Sequence, residues 1–214
     1  MSRKIFLLLS LFVFSFSQVS LAAHHHGEPI PTEQCYSKSK VDFINAMRKL
    51  WEDHITWTRG YLVAAVANNP DSNQVLGRLL KNQKDIGDAI VPYYGAAAGA
   101  KLTDLLTEHI VIAGKIVGDL LANNDPQANI AAWYANGDDI ATFLSGANPN
   151  WPLADMKAMM KDHLDTTTAE VVAHVKHDWA GSIEAYDKAH LMILEMADGL
   201  SMGIIAQFPN SFGN

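Results

Sequence analysis

The sequence has little cysteine, little positive charge and no long apolar run after its first 23 residues. Cys35 is the single cysteine in 214 residues, so no internal disulfide can form and stability has to come from packing. Lys and Arg number 16 against 23 Asp and Glu, which gives a net charge of −7 at pH 7. An acidic chain without a basic cluster is a poor partner for nucleic acid and for anionic membrane surfaces, so neither is expected.

Short motifs with known chemistry are missing as well. The sequence contains no Cys-x-x-Cys-His haem attachment, no His-Glu-x-x-His, no Gly-rich phosphate loop and no Gly-x-Ser-x-Gly. Because no nucleophile–base pair can be assembled from spacing alone, we assign no catalytic residue. The sequence favours a binding protein over an enzyme, and chemistry at a bound metal stays open.

The first residues have the layout of a secretory signal peptide, which predicts an exported protein, periplasmic or secreted. Arg3 and Lys4 precede an apolar run that gives way to small residues by Ala23. We place the signal peptide at 1–23, a flexible lead-in at 24–38 and a single domain at 39–214. No later segment approaches eighteen uninterrupted apolar residues, so no membrane span is predicted.

The predicted lead-in begins with three histidines, His24, His25 and His26. If the signal peptide is cleaved after Ala22 or Ala23, a histidine occupies the third mature position. There it can chelate Cu(II) or Ni(II) together with the free amine and the backbone nitrogens between them. The alternative is a disordered His-rich tail that binds no specific metal.

Asparagine and proline divide the rest of the chain into segments with helical periodicity. The stretches ANNPDS (67–72), ANNDPQ (122–127) and ANPNWP (147–152) combine residues that end and begin helices. Between them apolar residues recur at steps of three and four, and no period-two strand pattern appears. The sequence therefore predicts an all-α bundle of three αα-hairpins, with six helices at about 39–68, 72–92, 97–123, 126–146, 151–177 and 179–207.

The three predicted hairpins resemble one another at a spacing of 54–55 residues. EDHI (52–55), TEHI (107–110) and KDHL (161–164) each read acid, histidine, aliphatic, and NQKDI (82–86) matches NGDDI (136–140). A further step of 54 residues from Asn136 arrives at His190. The matches are few, so a weak threefold repeat and chance similarity both remain possible explanations.

Helical register predicts that four histidines lie at one level of the bundle core, and these are His54, His109, His163 and His190. All four occupy positions on the apolar stripe of their helices, so they can converge on a transition metal ion, with Zn, Cu or Fe suited to imidazole. Asp187 lies three residues before His190 on the same helix face and is a possible fifth ligand. Asp53, Glu108 and Asp162 point about 100° away from their neighbouring histidines and are candidates to orient a histidine on an adjacent helix.

Two alternatives to the metal site remain. Histidines on opposing helices could be the axial ligands of a non-covalently bound haem. The histidines could also form a metal-free polar core layer with Asn82 and Asn136 that fixes the helix register of a structural or binding module. Arg59, close to this layer in sequence, pairs with an acid or covers a pocket, and nothing in the sequence selects between these roles.

Four segments resemble a small bacterial family of exported helical proteins. They are LWEDHITWTRGYL (50–62), LLKNQKDIGDAIVPYYG (79–95), LLTEHIVIAG (105–114) and QFPNSF (207–212). The likeness covers most of the chain after the predicted signal peptide. It implies a shared helical fold and supports the predicted boundaries. It implies no activity, because that family has no established one.

Overall fold

The computed structural model describes residues 36–213 of the chain, and all of its regular secondary structure in that range is helical. This confirms the predicted all-α bundle. The predicted signal peptide, most of the predicted lead-in, His24, His25, His26 and Cys35 lie outside the described residues. Export to the periplasm or beyond therefore stays a prediction from the sequence.

Five α-helices build the described part of the chain, followed by one short 3₁₀ turn at Pro209–Ser211. The sequence predicts six helices, and the difference lies in the second and third, which form one element with a break. The helices are α1 (Lys38–Val66), α2 (Ser72–Leu121), α3 (Gln127–Ala147), α4 (Leu153–Val175) and α5 (Trp179–Gln207).

The chain reverses direction inside α2 at Gly95. This residue has φ 82° and ψ 167°, a conformation open to glycine and strained for other residues, and Pro92 precedes it within the element. Gly87 and Gly99 meet across the bend, because a Cβ added to Gly99 would lie 2.7 Å from the Gly87 carbonyl oxygen. In a straight helix these two residues would be about 18 Å apart. The bend at Gly95 therefore lies where the sequence predicts the junction between the first hairpin and the second.

Three helix ends repeat the same backbone geometry. Asn68, Asn123 and His177 follow α1, α2 and α4 with φ of 51°, 55° and 61°. In each case the next residue donates its N–H to the carbonyl five residues back, which satisfies a carbonyl at the helix end: Asn69 to Ala64, Asn124 to Asp119 and Asp178 to Ala173. Asparagine tolerates this left-handed conformation, which explains the two ANN stretches. These three helix ends therefore have the same spacing in the sequence as His54, His109 and His163.

The helices pack in a closed cyclic order. Each helix contacts its neighbours in sequence, and α1 also packs against α5, while α4 contacts α1 and α2 more weakly. The hydroxyl of Ser37, at the start of α1, donates to the carbonyl oxygen of Phe212 at 2.6 Å, and Ser39 bonds to the same oxygen. The two ends of the described chain therefore lie side by side.

The last helix is the most apolar of the bundle. By length and composition α5 could cross a membrane, and half of its most apolar window is buried inside the bundle. A core helix of a packed bundle has the same properties, so this feature alone assigns no membrane span.

Candidate functional site

Three of the four predicted histidines meet in the bundle core. His54 on α1, His109 on α2 and His163 on α4 are 3%, 2% and 4% exposed. The ring of His163 lies between the other two, with its centroid 5.8 Å from that of His54 and 5.9 Å from that of His109. We call these three residues the histidine cluster.

A cavity of about 20 Å³ borders the histidine cluster. The residue three positions before each histidine also lines it, because these positions lie on the same helix face. They are Trp51, Leu106 and Met160. The other lining residues are apolar too, and no charged side chain of residues 36–213 is among them.

Two histidines of the cluster are held by amide side chains. Nδ1 of His54 lies 3.2 Å from Oε1 of Gln83, and the Gln83 amide nitrogen donates to the Leu79 carbonyl at 2.8 Å. Because the Gln83 oxygen is the atom that faces the ring, Nδ1 of His54 is the donor and carries the proton. Its Nε2 then has a free lone pair, which is the form that binds a metal ion.

The second histidine repeats this arrangement with Asn136. Nδ1 of His109 lies 2.8 Å from Oδ1 of Asn136, whose nitrogen donates to the Leu105 carbonyl at 3.1 Å. Asn82, the repeat-related residue of the first hairpin, donates in the same way to the Leu50 carbonyl at 3.0 Å. Both carbonyls belong to the residue four positions before the histidine of their own unit. The first two units therefore share a hydrogen bond as well as a sequence pattern.

The third histidine has no such partner. Nδ1 of His163 is buried and makes no hydrogen bond within residues 36–213. The position that corresponds to Asn82 and Asn136 is occupied by His190, which supplies no amide to the core. His163 is thus a buried polar ring with an unused nitrogen, which is uncommon in a folded core.

Burial keeps the cluster uncharged at neutral pH. Loss of hydration lowers the pKa of His54 to about 4, although the Gln83 hydrogen bond opposes this shift. Burial and then the neighbouring His54 lower the pKa of His109 to about 3. Burial, followed by the other two histidines, holds the pKa of His163 well below its usual value. All three rings therefore offer lone pairs at pH 7.

The fourth predicted histidine lies elsewhere. The side chain of His190 on α5 is 33% exposed, its Nε2 is 3.3 Å from Oε1 of Glu52, and its ring stacks on Tyr186 at 5.7 Å. It does not line the cavity of the histidine cluster. Asp187, one turn earlier, is exposed. The structure therefore does not bring these two predicted ligands to the other three histidines.

The predicted orienting carboxylates also lie on the outside of the bundle. Glu108 and Asp162 are exposed, and Asp53 pairs with Lys49 at 2.7 Å and Arg78 at 3.3 Å. Successive side chains of a helix point about 100° apart, so an acid directly before a core-facing histidine points away from the core. The histidines are oriented by the amide oxygens of Gln83 and Asn136, and not by the carboxylates that the sequence suggested.

A second buried polar group joins α1, α4 and α5, and of its members sequence reasoning named only Arg59, as a residue that pairs with an acid or covers a pocket. Arg59 donates to Oε1 of Glu170 at 2.6 Å, and the Glu170 side chain is 1% exposed. The Ser182 hydroxyl lies 3.4 Å from Arg59 and 3.1 Å from Nδ1 of His174. Helical register was the available signal, because Glu170 and His174 follow His163 at spacings of seven and eleven residues on one face of α4.

Within residues 36–213, no group of three or more His, Cys, Asp or Glu side chains is placed so that it could hold a metal ion. Comparison with models of protein families, with curated proteins and with solved structures finds no match to this chain. The chemistry of the histidine cluster is therefore the basis for proposing a function.

Proposed function

We propose that this protein is a metal-binding helical bundle in which His54, His109 and His163 hold one transition metal ion. The observation that carries the proposal is the unused Nδ1 of His163 in a fully buried cluster of three neutral rings. A buried imidazole without a partner loses its hydration and gains nothing in return, whereas coordination to a metal ion compensates for that loss.

The ring spacing supports the proposal. With a metal–nitrogen distance of about 2.1 Å, rings that share one ion have centroids roughly 5–5.5 Å apart. The measured separations of 5.8 and 5.9 Å exceed this by a few tenths of an ångström. Metal binding would therefore require the three rings to move closer together. The hydrogen bonds between side-chain amide oxygens and Nδ1 of His54 and His109 favour metal binding, because they orient both rings and leave Nε2 free.

The surroundings of the cluster favour a small ion over a haem group. Three imidazole nitrogens suit Zn, Cu or Fe, and no lysine or arginine of the described chain lines the cavity to repel a cation. The cavity volume of about 20 Å³ accommodates an ion or a water molecule. A porphyrin would require the helices to separate widely.

The proposal is tested by measuring bound metal in the full chain with His24, His25 and His26 replaced by alanine, which removes the competing N-terminal histidines. We expect one Zn or Co ion per chain by elemental analysis after loading and dialysis. His163→Ala should abolish that binding. His190→Ala is the matched control, a histidine of the same bundle outside the cluster, and should retain it.

The metal-free polar layer is the competing function, and the hydrogen bonds that Gln83 and Asn136 accept from His54 and His109 favour it. If the cluster only fixes helix register, added metal leaves the melting temperature unchanged and no ion is retained. A saturating ion that binds only the folded chain would raise the free energy of unfolding by about 2.7 kcal/mol at a concentration one hundred times its Kd. The absence of both retained metal and stabilisation would overturn the metal site.

A further inference from the structure

The position three residues before each histidine of the cluster differs in chemistry between the three helices. It is occupied by Trp51 on α1, Leu106 on α2 and Met160 on α4, and all three residues line the cavity of about 20 Å³ beside the rings. Of these three side chains, only the methionine carries an atom that binds metal ions, its thioether sulfur. Side chains three residues apart lie on the same face of a helix, so Met160 and His163 form a pair of possible ligands on α4.

Met160 accompanies the histidine that has no hydrogen-bond partner. Nδ1 of His163 makes no hydrogen bond within residues 36–213. Met160 is 5% exposed, and two further buried methionines, Met47 on α1 and Met196 on α5, line the same cavity. The cavity therefore combines imidazole nitrogens with thioether sulfurs, and no charged side chain of the described residues lines it.

We propose that the histidine cluster binds Cu(I) in preference to Zn, with the thioether sulfur of Met160 as a ligand beside the imidazoles. This inference rests on the metal site proposed above. Soft thioether ligands select Cu(I), whereas Zn takes thiolate, imidazole and carboxylate ligands. The charge of the ion has the same effect, because the cost of removing an ion from water rises with the square of its charge. In this uncharged cavity a monovalent ion loses about a quarter of the hydration energy that a divalent ion loses.

The ring separations also suit an ion with fewer ligands than tetrahedral Zn. With a metal–nitrogen distance of about 2.1 Å, two ring centroids are roughly 5.3 Å apart at the tetrahedral angle and roughly 5.6 Å apart at the trigonal angle. The measured separations of 5.8 and 5.9 Å are nearer to the trigonal value. Cu(I) is stable with three ligands, so it can bind Met160 and two of the rings. It then requires less ring movement than an ion that needs all three.

Met160 also gives the ion a path from solvent. In addition to the cavity, it lines an open groove between α3 and α4, together with Tyr134 and Gly137. A Cβ added to Gly137 would lie 3.7 Å from the methyl carbon of Met160, so a residue without a side chain faces the methionine. Methionine is unbranched and has three rotatable bonds. Its side chain can therefore turn between the groove and the cavity.

The test uses the full chain with His24, His25 and His26 replaced by alanine, and measures Cu(I) affinity by competition with a chromophoric Cu(I) chelator under anaerobic conditions. Zn affinity is measured by a parallel competition. Met160→Leu removes the sulfur and conserves the volume of the side chain. We expect it to weaken Cu(I) binding by at least about tenfold, since losing a more distant contact to a metal site already costs that much, and to change Zn affinity by less than about twofold. Met156→Leu is the matched control, because Met156 is a buried methionine one turn earlier in α4 that does not line the cavity, and it should leave both affinities unchanged.

The two proposals fail in distinguishable ways. If the parent chain binds neither Cu(I) nor Zn, the metal site itself is wrong and the preference for Cu(I) with it. If the parent binds one ion per chain but Met160→Leu retains the parent's Cu(I) affinity, Met160 is not a ligand and the metal site stands. The preference for Cu(I) is also wrong if an equal concentration of Zn displaces Cu(I), or if Met156→Leu weakens Cu(I) binding as much as Met160→Leu does. Circular dichroism of every variant establishes that the bundle is folded.

Discussion

Arg59 and Glu170 form a charged pair in a poorly hydrated part of the bundle. The Glu170 carboxylate is almost fully buried, and the guanidinium of Arg59 also lies over the ring of Tyr186 at 4.7 Å. Burial raises the pKa of Glu170, and the hydrogen bond and charge of Arg59 oppose that shift. The two residues lie 111 positions apart in the sequence, so their ion pair joins α1 to α4.

We expect Glu170→Ala to destabilise the protein by about 3 kcal/mol, because it leaves the guanidinium of Arg59 partly buried without its counterion. The measurement is the free energy of unfolding from urea denaturation. Asp198→Ala is the matched control, since Asp198 pairs with Arg48 at the surface and both side chains are more than one third exposed. Its cost should be below about 1 kcal/mol. Equal costs for the two variants would contradict this account of the buried pair.

At the scale of the element, the reversal inside α2 depends on two glycines. A Cβ on Gly99 would lie 2.5 Å from a methyl carbon of Val91 and 2.7 Å from the Gly87 carbonyl oxygen. The contact with Gly87 cannot be relieved by moving a side chain, because the Gly87 carbonyl oxygen belongs to the backbone. The close approach of the two halves of α2 therefore excludes any side chain at this point.

We expect Gly99→Ala to destabilise the bundle by about 1–3 kcal/mol through this overlap. Gly77→Ala is the matched control in the same helix, where an added Cβ meets nothing within 4 Å. That change should stabilise the protein by roughly 0.5–1 kcal/mol, because alanine loses less backbone freedom than glycine on folding. Thermal or urea unfolding measures both effects. A neutral or stabilising Gly99→Ala would show that the halves of α2 are not in contact.

The helices could be predicted because they follow from local chemistry. Apolar spacing gives the helices, and the ANN stretches mark the ends of α1 and α2. The break at Gly95 lies between the predicted ends at 92 and 97, and only the fusion of the two halves into one element differs. These features depend on residues close together in the sequence, so one sequence is sufficient to find them.

The candidate site could be predicted only in part, because its details depend on tertiary contacts. Register correctly pointed His54, His109 and His163 inward. It also assigned His190 to the core, although this residue occupies the position equivalent to Asn82 and Asn136, and its Nε2 lies 3.3 Å from Oε1 of Glu52. The role of Gln83 was missed because its contact with His54 comes from another helix.

At the scale of the whole molecule, three buried neutral histidines link stability to pH. Their pKa values lie below the usual 6.5 in the folded protein, so the unfolded chain binds more protons below that pH. Stability from this source is complete above about pH 7. It falls as the pH drops from 6.5 towards about 4, by at most about 1.4 kcal/mol per pH unit for each histidine.

We expect His163→Leu to reduce this pH dependence by about 1.4 kcal/mol per pH unit between pH 6 and 5, because one of the three titrating groups is removed. The measurement is the free energy of unfolding against pH in chelator-treated buffer, which keeps metal from adding its own contribution. Carboxylates titrate in both proteins, so the difference between the two curves isolates His163. Parallel curves would show that His163 is not buried as a neutral ring.

The hydrogen bonds from Ser37 and Ser39 to Phe212 make the order of the five helices circular. Helix α1 meets α5 as closely as neighbours in sequence meet, and the described chain starts and stops at one seam. A circular permutant could join the two ends of this seam with a short linker and begin instead at the turn that contains Asn123. It would keep the interhelical contacts of the bundle, including those between the helices that carry the histidine cluster. The seam and the Asn turns of the described residues are therefore suitable places for engineered joins.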